Sequence, residues 1–387
     1  MTKFRINQKG LLRSDVSRRK FMGLAGGAAA GLAMSSRGVW AQEATDEFKG
    51  KELNVLTWPG HGDPYMVGAF EERYGVRVRV KEYVGGDQLL AVINSTPQGV
   101  YDVILADAEV VEQLVDADQI EPLNPADYPF ADFFPEFQKF EQHWKDDQLY
   151  AVMLRFGYLG LAYNTEKLSA EEVKSYKILW DSKVTGKVGW FDWYLTSLQP
   201  LSLYNGNKPP YDISNEAFDK LRETLFSLKP QTAGYFQMAD LFSSFANGQA
   251  WVVPGIGDWV ALLLEDQGRP VKAVVPDEGG LQWTESLSIA KGAKNPELAK
   301  RYIQYATSPE GQVKTATLSS YAAAIPNKEG WKLMAKEKPE WADRLRLRED
   351  QENVMDQYRK GNIFPRKLPV QQSIEVWNET WTEFKNM

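Results

Sequence analysis

Trp283 and Glu285 lie two residues apart in the run from Val274 to Ile289. Pro276-Asp277-Glu278-Gly279-Gly280 reads as a turn that ends one strand, and the residues after it alternate. Leu281, Trp283, Leu287 and Ile289 share one face, while Gln282, Thr284, Ser286 and Ser288 share the other. Glu285 falls on the apolar face beside Trp283. A lone carboxylate there is costly unless something pairs with it. A ring and an acid on one side of a strand suit a cation, with cation–π attraction of about 0.5–2 kcal/mol added to charge and hydrogen bonding. The plainer reading is a strand whose far end emerges into water.

Other acids stand next to aromatic rings at strand ends: Asp107 and Glu109 opposite Trp58, Asp192 with Trp193, and Asp258 with Trp259. A gathered set of uncompensated carboxylates repels itself and takes up protons. A ligand with two or more ammonium groups relieves both, each close pair contributing roughly 4 kcal/mol before desolvation at an effective dielectric of about 20. Plainer roles stand beside these. Asp192 and Asp258 could cap helices, Glu109 could be a solvated helix start, and the tryptophans and Tyr321 could be core. His61 could be a loop residue.

The elements that must position these groups follow from periodicity. Leu53 to Trp58 reads as a buried strand and Tyr65 to Tyr74 as an amphipathic helix. Val76 to Tyr83 alternates as a strand, Asp87 to Ile93 is helical, Tyr101 to Ala106 is a strand, and Val110 to Val115 is helical. Strand and helix in alternation predict a parallel sheet, with ligands at the carboxyl ends of its strands. Residues 121–150, rich in proline and aromatics, read as surface loops. Leu149–Phe156 and Leu159–Thr165 read as paired strands leading into a second lobe. Further on, 215–228, 238–247, 260–266, 296–306 and 309–316 are expected as helices, 321–327 as extended chain, and the remainder as mostly helix.

Composition narrows the chemistry. The chain has 387 residues and no cysteine, which excludes disulfides, thiolate metal sites and cysteine nucleophiles. Its two histidines, His61 and His143, have no metal-ligand spacing. There is no G-x-S-x-G and no Walker loop, and Val260 stands where a dinucleotide fingerprint after Gly255-x-Gly257 needs its third glycine. No metal or cofactor is expected. Paired carboxylates could serve a secreted hydrolase, the alternative from a different class. Ser17-Arg18-Arg19-Lys20-Phe21-Met22, a short mild apolar run, and Val39-Trp40-Ala41 before Gln42 look like a twin-arginine export signal over 1–41. Residues 1–41 carry eight bases and one acid, leaving 37 bases against 51 acids, a net −14. Such a surface repels nucleic acid and attracts cations.

The succession Leu56-Thr57-Trp58, Tyr101-Asp102-Val103-Ile104, Leu161-Ala162-Tyr163-Asn164, Gly186-Lys187-Val188 and Glu278-Gly279-Gly280 through Trp283 and Glu285 resembles, in order and spacing, the spermidine/putrescine-binding proteins, periplasmic receptors of polyamine importers. The resemblance runs from Leu53 to near the C-terminus. It implies an α/β fold of two lobes, the periplasmic-binding-protein architecture of type II kind, with the ligand in the cleft between them. Residues 50–156 with about 284–322 would form the first lobe, and 157–283 with about 326–387 the second. Hinges are expected near Arg155–Leu159 and Gly279–Glu285, with a third crossing near Ile325. It also implies no covalent chemistry, a small cationic ligand, delivery to an ABC permease in the membrane, and a monomer in the periplasm. Position by position, Trp58, Asp192 or Trp193, Trp283, Glu285 and Tyr321 match ligand-binding positions of the family. Asp107 and Glu109 fall where a hydroxyl residue and a tyrosine are usual, Thr196 where an acid is usual, and His61 where a tyrosine is usual. Near Gly257 the family has a tryptophan that this chain lacks, though Asp258 and Trp259 follow at once. The candidate ligand-binding set is thus Trp58, His61, Asp107, Glu109, Asp192, Trp193, Asp258, Trp283, Glu285 and Tyr321. Receptors for another small solute, such as an opine, a modified amino acid or a sugar, are the nearer alternative.

Overall fold

The computed structural model describes residues 46–387, so the expected export signal lies outside the described residues. In chain order the strands are β1 (Glu52–Thr57), β2 (Arg77–Glu82), β3 (Val103–Asp107), a short hairpin of β4 (Trp144–Lys145) and β5 (Gln148–Leu149), β6 (Val152–Asn164), β7 (Val188–Phe191), β8 (Thr232–Phe236), β9 (Val252–Gly257), β10 (Val271–Val274), β11 (Gly280–Ile289) and β12 (Ile363–Pro365). All but the hairpin join one sheet in the order β2-β1-β3-β11-β6-β9-β7-β8, with β10 on β6 and β12 on β11.

Two parallel stretches flank two antiparallel strands. β1 pairs β2 and β3 in parallel, and β7 pairs β8 and β9 in parallel. The connecting helices start and stop where the sequence signals. Helix Pro64–Tyr74 has proline at its start, Asp63 accepting from the Tyr65 N–H, and left-handed Gly75 at its end. β6 and β11 run through the middle and join the stretches.

β6 corrects the expectation of paired strands at 149–156 and 159–165. It is one continuous strand of 13 residues, buried throughout. The glycines within it are there for close packing. A Cβ on Gly157 would lie 2.6 Å from Trp283 Nε1, and one on Gly160 would lie 2.2 Å from the Val274 carbonyl oxygen.

Burial separates the molecule into a core around β1–β3 and cores around β7–β9. The first includes Val152–Phe156 of β6 and Leu287 and Ile289 of β11. The others take Leu159–Tyr163 of β6 and Leu281 and Trp283 of β11. The first core also holds Trp331, Met334, Leu345, Leu347 and Met355, while Trp377, Trp381 and Phe384 of the last helix, Ile374–Asn386, pack with β7. That packing differs from the expected assignment of all residues after 326 to the second lobe. Residues 121–150 are not plain surface loops either. Phe133, Phe137, Phe140 and His143 are buried, with Phe137 4.7 Å from the Phe156 ring and Phe134 4.6 Å from Trp331. Short helical turns let closely spaced rings face inward without any long-range periodicity.

A register shift in the β6–β9 pairing leaves Gly255 as the extra residue, with φ at +71°. This is the left-handed glycine of a bulge. A Cβ there would lie 1.6 Å from the Thr196 carbonyl oxygen. Gly255→Ala is therefore expected to lower stability by at least about 2 kcal/mol, from the left-handed backbone penalty and the displaced Thr196 backbone together. Urea denaturation should show the drop in midpoint with an unchanged slope.

Candidate functional site

Elements from both parts of the sheet converge on a cavity of about 60 Å³. Its walls come from carboxyl ends of parallel strands: Trp58 after β1, Asp107 ending β3, Phe191 and Trp193 at the end of β7, Met238 after β8, and Gly255 and Ile256 of β9. This is where a parallel sheet presents loops and helix starts to a ligand. The crossing strands supply Leu159, Trp283 and Glu285, and Tyr321, Trp259, Thr196 and Arg366 complete the lining.

Glu285 and Tyr321 are satisfied from within. The Arg155 guanidinium donates from Nε to Glu285 Oε2 at 2.6 Å and from Nη1 to the carbonyls of Thr315 and Tyr321 at 3.2 and 3.1 Å. It stacks on the Tyr321 ring at 4.1 Å, and the Tyr321 hydroxyl donates to Glu285 Oε1. Nη2 lies 2.7 Å from His61 Nε2. The same histidine nitrogen lies 3.1 Å from Glu285 Oε2, but a guanidinium can only donate and is the closer neighbour, which favours an accepting Nε2 and a neutral ring. Burial, and then the Arg155 charge, lower the His61 pKa in the same sense. Burial alone would raise the Glu285 carboxyl, but the Arg155 charge, the adjacent His61 and the hydrogen bonds they offer together outweigh it and hold the group well below the usual range. Glu285 is thus a paired structural anion with one side on the cavity, not an open seat for an ammonium group.

Asp107 and Glu109 are also compensated. Arg366 follows β12, which pairs in parallel with β11, and its backbone N–H donates to the Gln282 carbonyl at 2.9 Å. Its Nε donates to Glu109 Oε1 at 2.8 Å, and Nη2 lies 3.1 Å from Asp107 Oδ2. The guanidinium stacks on Trp193 at 4.5 Å. Burial pushes the Asp107 carboxyl well up. The Arg366 charge opposes that shift, and Glu109 and Glu285 reinforce it.

Asp192 and Asp258 are not among the residues lining this cavity. Asp192 accepts from Trp381 Nε1 at 2.9 Å and Lys385 Nζ at 2.7 Å, both on the last helix, although its neighbours Phe191 and Trp193 are lining residues. It therefore does not face Glu285 across the cavity as an ammonium seat. Asp258 lines a separate cavity of about 410 Å³ with Tyr158, Glu265, Lys272, Arg344 and Arg346. Successive residues of a strand point to opposite faces, so Leu159 and Ile256 serve one cavity while Tyr158 and Gly257 serve the other. His61 and Glu109 sit behind the lining, as partners of Arg155 and Arg366. Among the described residues, no group of three or more histidines and acids could hold a metal ion. No described helix is long and apolar enough to cross a membrane.

A family model described as bacterial extracellular solute-binding protein matches residues 65–342. The chain belongs to this family. The spermidine/putrescine-binding periplasmic protein of Escherichia coli (strain K12) is 23% identical over 307 residues, covering 78% of this chain and 84% of that protein. Among solved structures, a putative spermidine/putrescine ABC transporter from Listeria monocytogenes superposes with a TM-score of 0.71 at 19% identity, covering 86% of this chain and 98% of that one. The binding protein MotA from A. tumefaciens B6, solved in complex with glucopine, gives 0.65 at 15% identity, covering 86% and 99%. These likenesses establish the two-lobe fold of solute-binding proteins.

In this solute-binding protein the residues missed from sequence are the arginines. Arg155 had a signal: it is a lone cation in an apolar strand, as Glu285 is a lone anion in another, and each needed a partner. Arg366, in a short loop after Phe364-Pro365, carried none. Glu285→Gln should leave Arg155 buried without its counter-charge and cost about 3–5 kcal/mol, read by urea denaturation. Burial raises the Asp258 pKa to about 6, against the pull of the Trp259 backbone N–H and Arg346. As pH rises, the unfolded chain releases this proton first, near its ordinary value, so stability falls between about pH 4 and 6 and stays lower above. Asp258→Asn keeps the acceptor for the Trp259 N–H and removes the charge. Its melting temperature should match the parent near pH 4 and exceed it at pH 7–8.

Proposed function

We propose that this chain is the extracytoplasmic receptor of an ABC importer, and that the cavity takes a small amine: a polyamine or a related organic cation. Membership of the solute-binding family supports the receptor role. Relatives described as spermidine/putrescine-binding and putrescine/agmatine-binding support the ligand class. The observation that carries the reading is the cavity itself. Trp58, Trp193, Trp259, Trp283 and Tyr321 ring a slot with Asp107 open to it. Aromatic faces attract an ammonium and pack its alkyl chain, and a carboxylate fixes its end.

The rest of the proposal follows the fold. Residues up to 156, with the C-terminal half of β11 and the helices after it, form one lobe; residues 157–283 with the last helix form the other. The lobes close about β6 and β11 by a hinge movement and present the loaded receptor to the permease. The 1–41 segment exports the chain by the twin-arginine route and is removed after Ala41, leaving a monomeric protein in the periplasm that performs no covalent chemistry. A second reading, an opine or a modified amino acid, is favoured by one observation: Arg366 lines the same cavity.

Calorimetry of the purified exported protein against putrescine, spermidine, agmatine and glucose should give heat with at least one amine, in the micromolar range that corresponds to about −8 kcal/mol, and none with glucose. Trp283→Ala should weaken the amine about tenfold or more. Heat with glucose alone contradicts the cation reading, and turnover of any of them contradicts the receptor reading.

A further inference from the structure

The cavity pairs its open carboxylate with a cation. Asp107 and Arg366 both line it, and Arg366 is 5% exposed. The polar groups around them are incompletely paired: Glu109 Oε2 lacks a donor, and two donors lack a well-aligned acceptor. Arg366 Nη2 lies 2.7 Å from Glu109 and 3.1 Å from Asp107, within ion-pair reach, yet has hydrogen-bond geometry with neither. The Trp58 indole N–H, on another wall, also has no acceptor. An ammonium group is a donor only and can satisfy neither. Buried unmet donors are costly, so the group that fills this place must accept. Helices Tyr194–Tyr204 and Met238–Ala246 also begin at the cavity, through Thr196 and Met238, and turn the positive ends of their dipoles toward it.

Charge counting points the same way. At most three acids, Asp107, Glu109 and Glu285, are set against Arg155 and Arg366, and burial shifts Asp107 toward its protonated form, so the site wants no more than one net positive charge. A diamine overfills it. The volume, about 60 Å³, is small and suits a short ligand.

We propose that the ligand is a short amino acid or N-substituted amino acid, whose ammonium sits on Asp107 and whose carboxylate is taken by Arg366 and the Trp58 N–H. Asp107 Oδ2 and Arg366 Nη2 are 3.1 Å apart, so the two ligand charges stand on one carbon or on neighbours rather than at opposite ends of a chain. The alkyl part lies along Trp259, Trp283 and Tyr321. This narrows the second reading of the proposed function, sets the polyamine aside, and rests on the claim that the cavity binds an amine.

The test is calorimetry with matched probes: norvaline, butylamine (norvaline without its carboxylate), pentanoate (without its amine) and putrescine (a second amine instead). Norvaline should bind at least tenfold tighter than the other three. Arg366→Gln should reduce norvaline to the level of butylamine, and Arg366→Lys, which keeps the charge but loses the planar fork, should recover part of the loss. The melting temperature of each variant checks its fold. Putrescine or butylamine binding as tightly as norvaline overturns the inference and leaves the amine receptor standing. Equal loss for all four probes in both variants, or melting of both, assigns Arg366 a purely structural role and also overturns it. If only pentanoate binds, or none of the four, the inference falls, and the amine reading falls with it only if spermidine and agmatine also give no heat.

Discussion

One guanidinium ties the molecule together at its middle. Arg155 stands opposite Glu285 in the pairing of β6 with β11, the two strands that run from one core to the other. Its five N–H groups reach β11, the loop after β1 through His61, and the chain between Thr315 and Tyr321. Each of these segments brings a wall residue to the cavity: Trp283, Trp58 and Tyr321. A buried ion pair seldom adds net stability over an apolar replacement, but losing one partner is severe. Its effect here is to fix register. The pairing slips by one residue between Glu285 and Ser286, so the bulge and the ion pair occupy the same point on the strands. A shift by one residue would turn Glu285 and Trp283 to the other cavity.

This arrangement changes how the acids near the cavity are understood. As a set of bare carboxylates they demand a polycation. Built into the fold, they lie beside cations: Arg155 pairs with Glu285, Lys385 with Asp192, and Arg366 is shared by Asp107 and Glu109. The empty molecule is therefore not held in an unsettled, self-repelling state. What remains on the cavity walls is a set of aromatic faces, one edge of the buried Asp107, and N–H groups without well-aligned acceptors.

Much of the framework was legible because it rests on local rules. The alternation of strand and helix from Leu53 to Val115, the caps around Pro64–Tyr74, and the turn before Gly280 need only neighbouring residues. Of the wall positions, Trp58, Asp107 and Trp193 were within reach because ligands gather at strand ends, Trp283 and Glu285 through an acid on an apolar strand face, and Tyr321 only through the family resemblance. What was hidden depends on distant pairing. The single strand β6 looked like two, but its glycines serve Trp283 and Val274, more than a hundred residues away. Asp192 and Asp258 followed the same acid-beside-aromatic pattern as the wall residues. One was claimed by a helix at the far end of the chain, and the other opens the helix that follows β9 and lines the second cavity. β12 is three residues long with no pattern of its own, and Arg366 was hidden with it.

The account turns on which carboxylate an amine meets. The most direct measurement is a crystal structure of the exported protein with saturating butylamine, a probe with one amine and nothing else to recognise. The account predicts its nitrogen within hydrogen-bond reach of Asp107, its chain against Trp283 and Tyr321, and Glu285 still held by Arg155. A nitrogen bound to Glu285 with Arg155 displaced, or a ligand seated beside Asp258 in the other cavity, would contradict it.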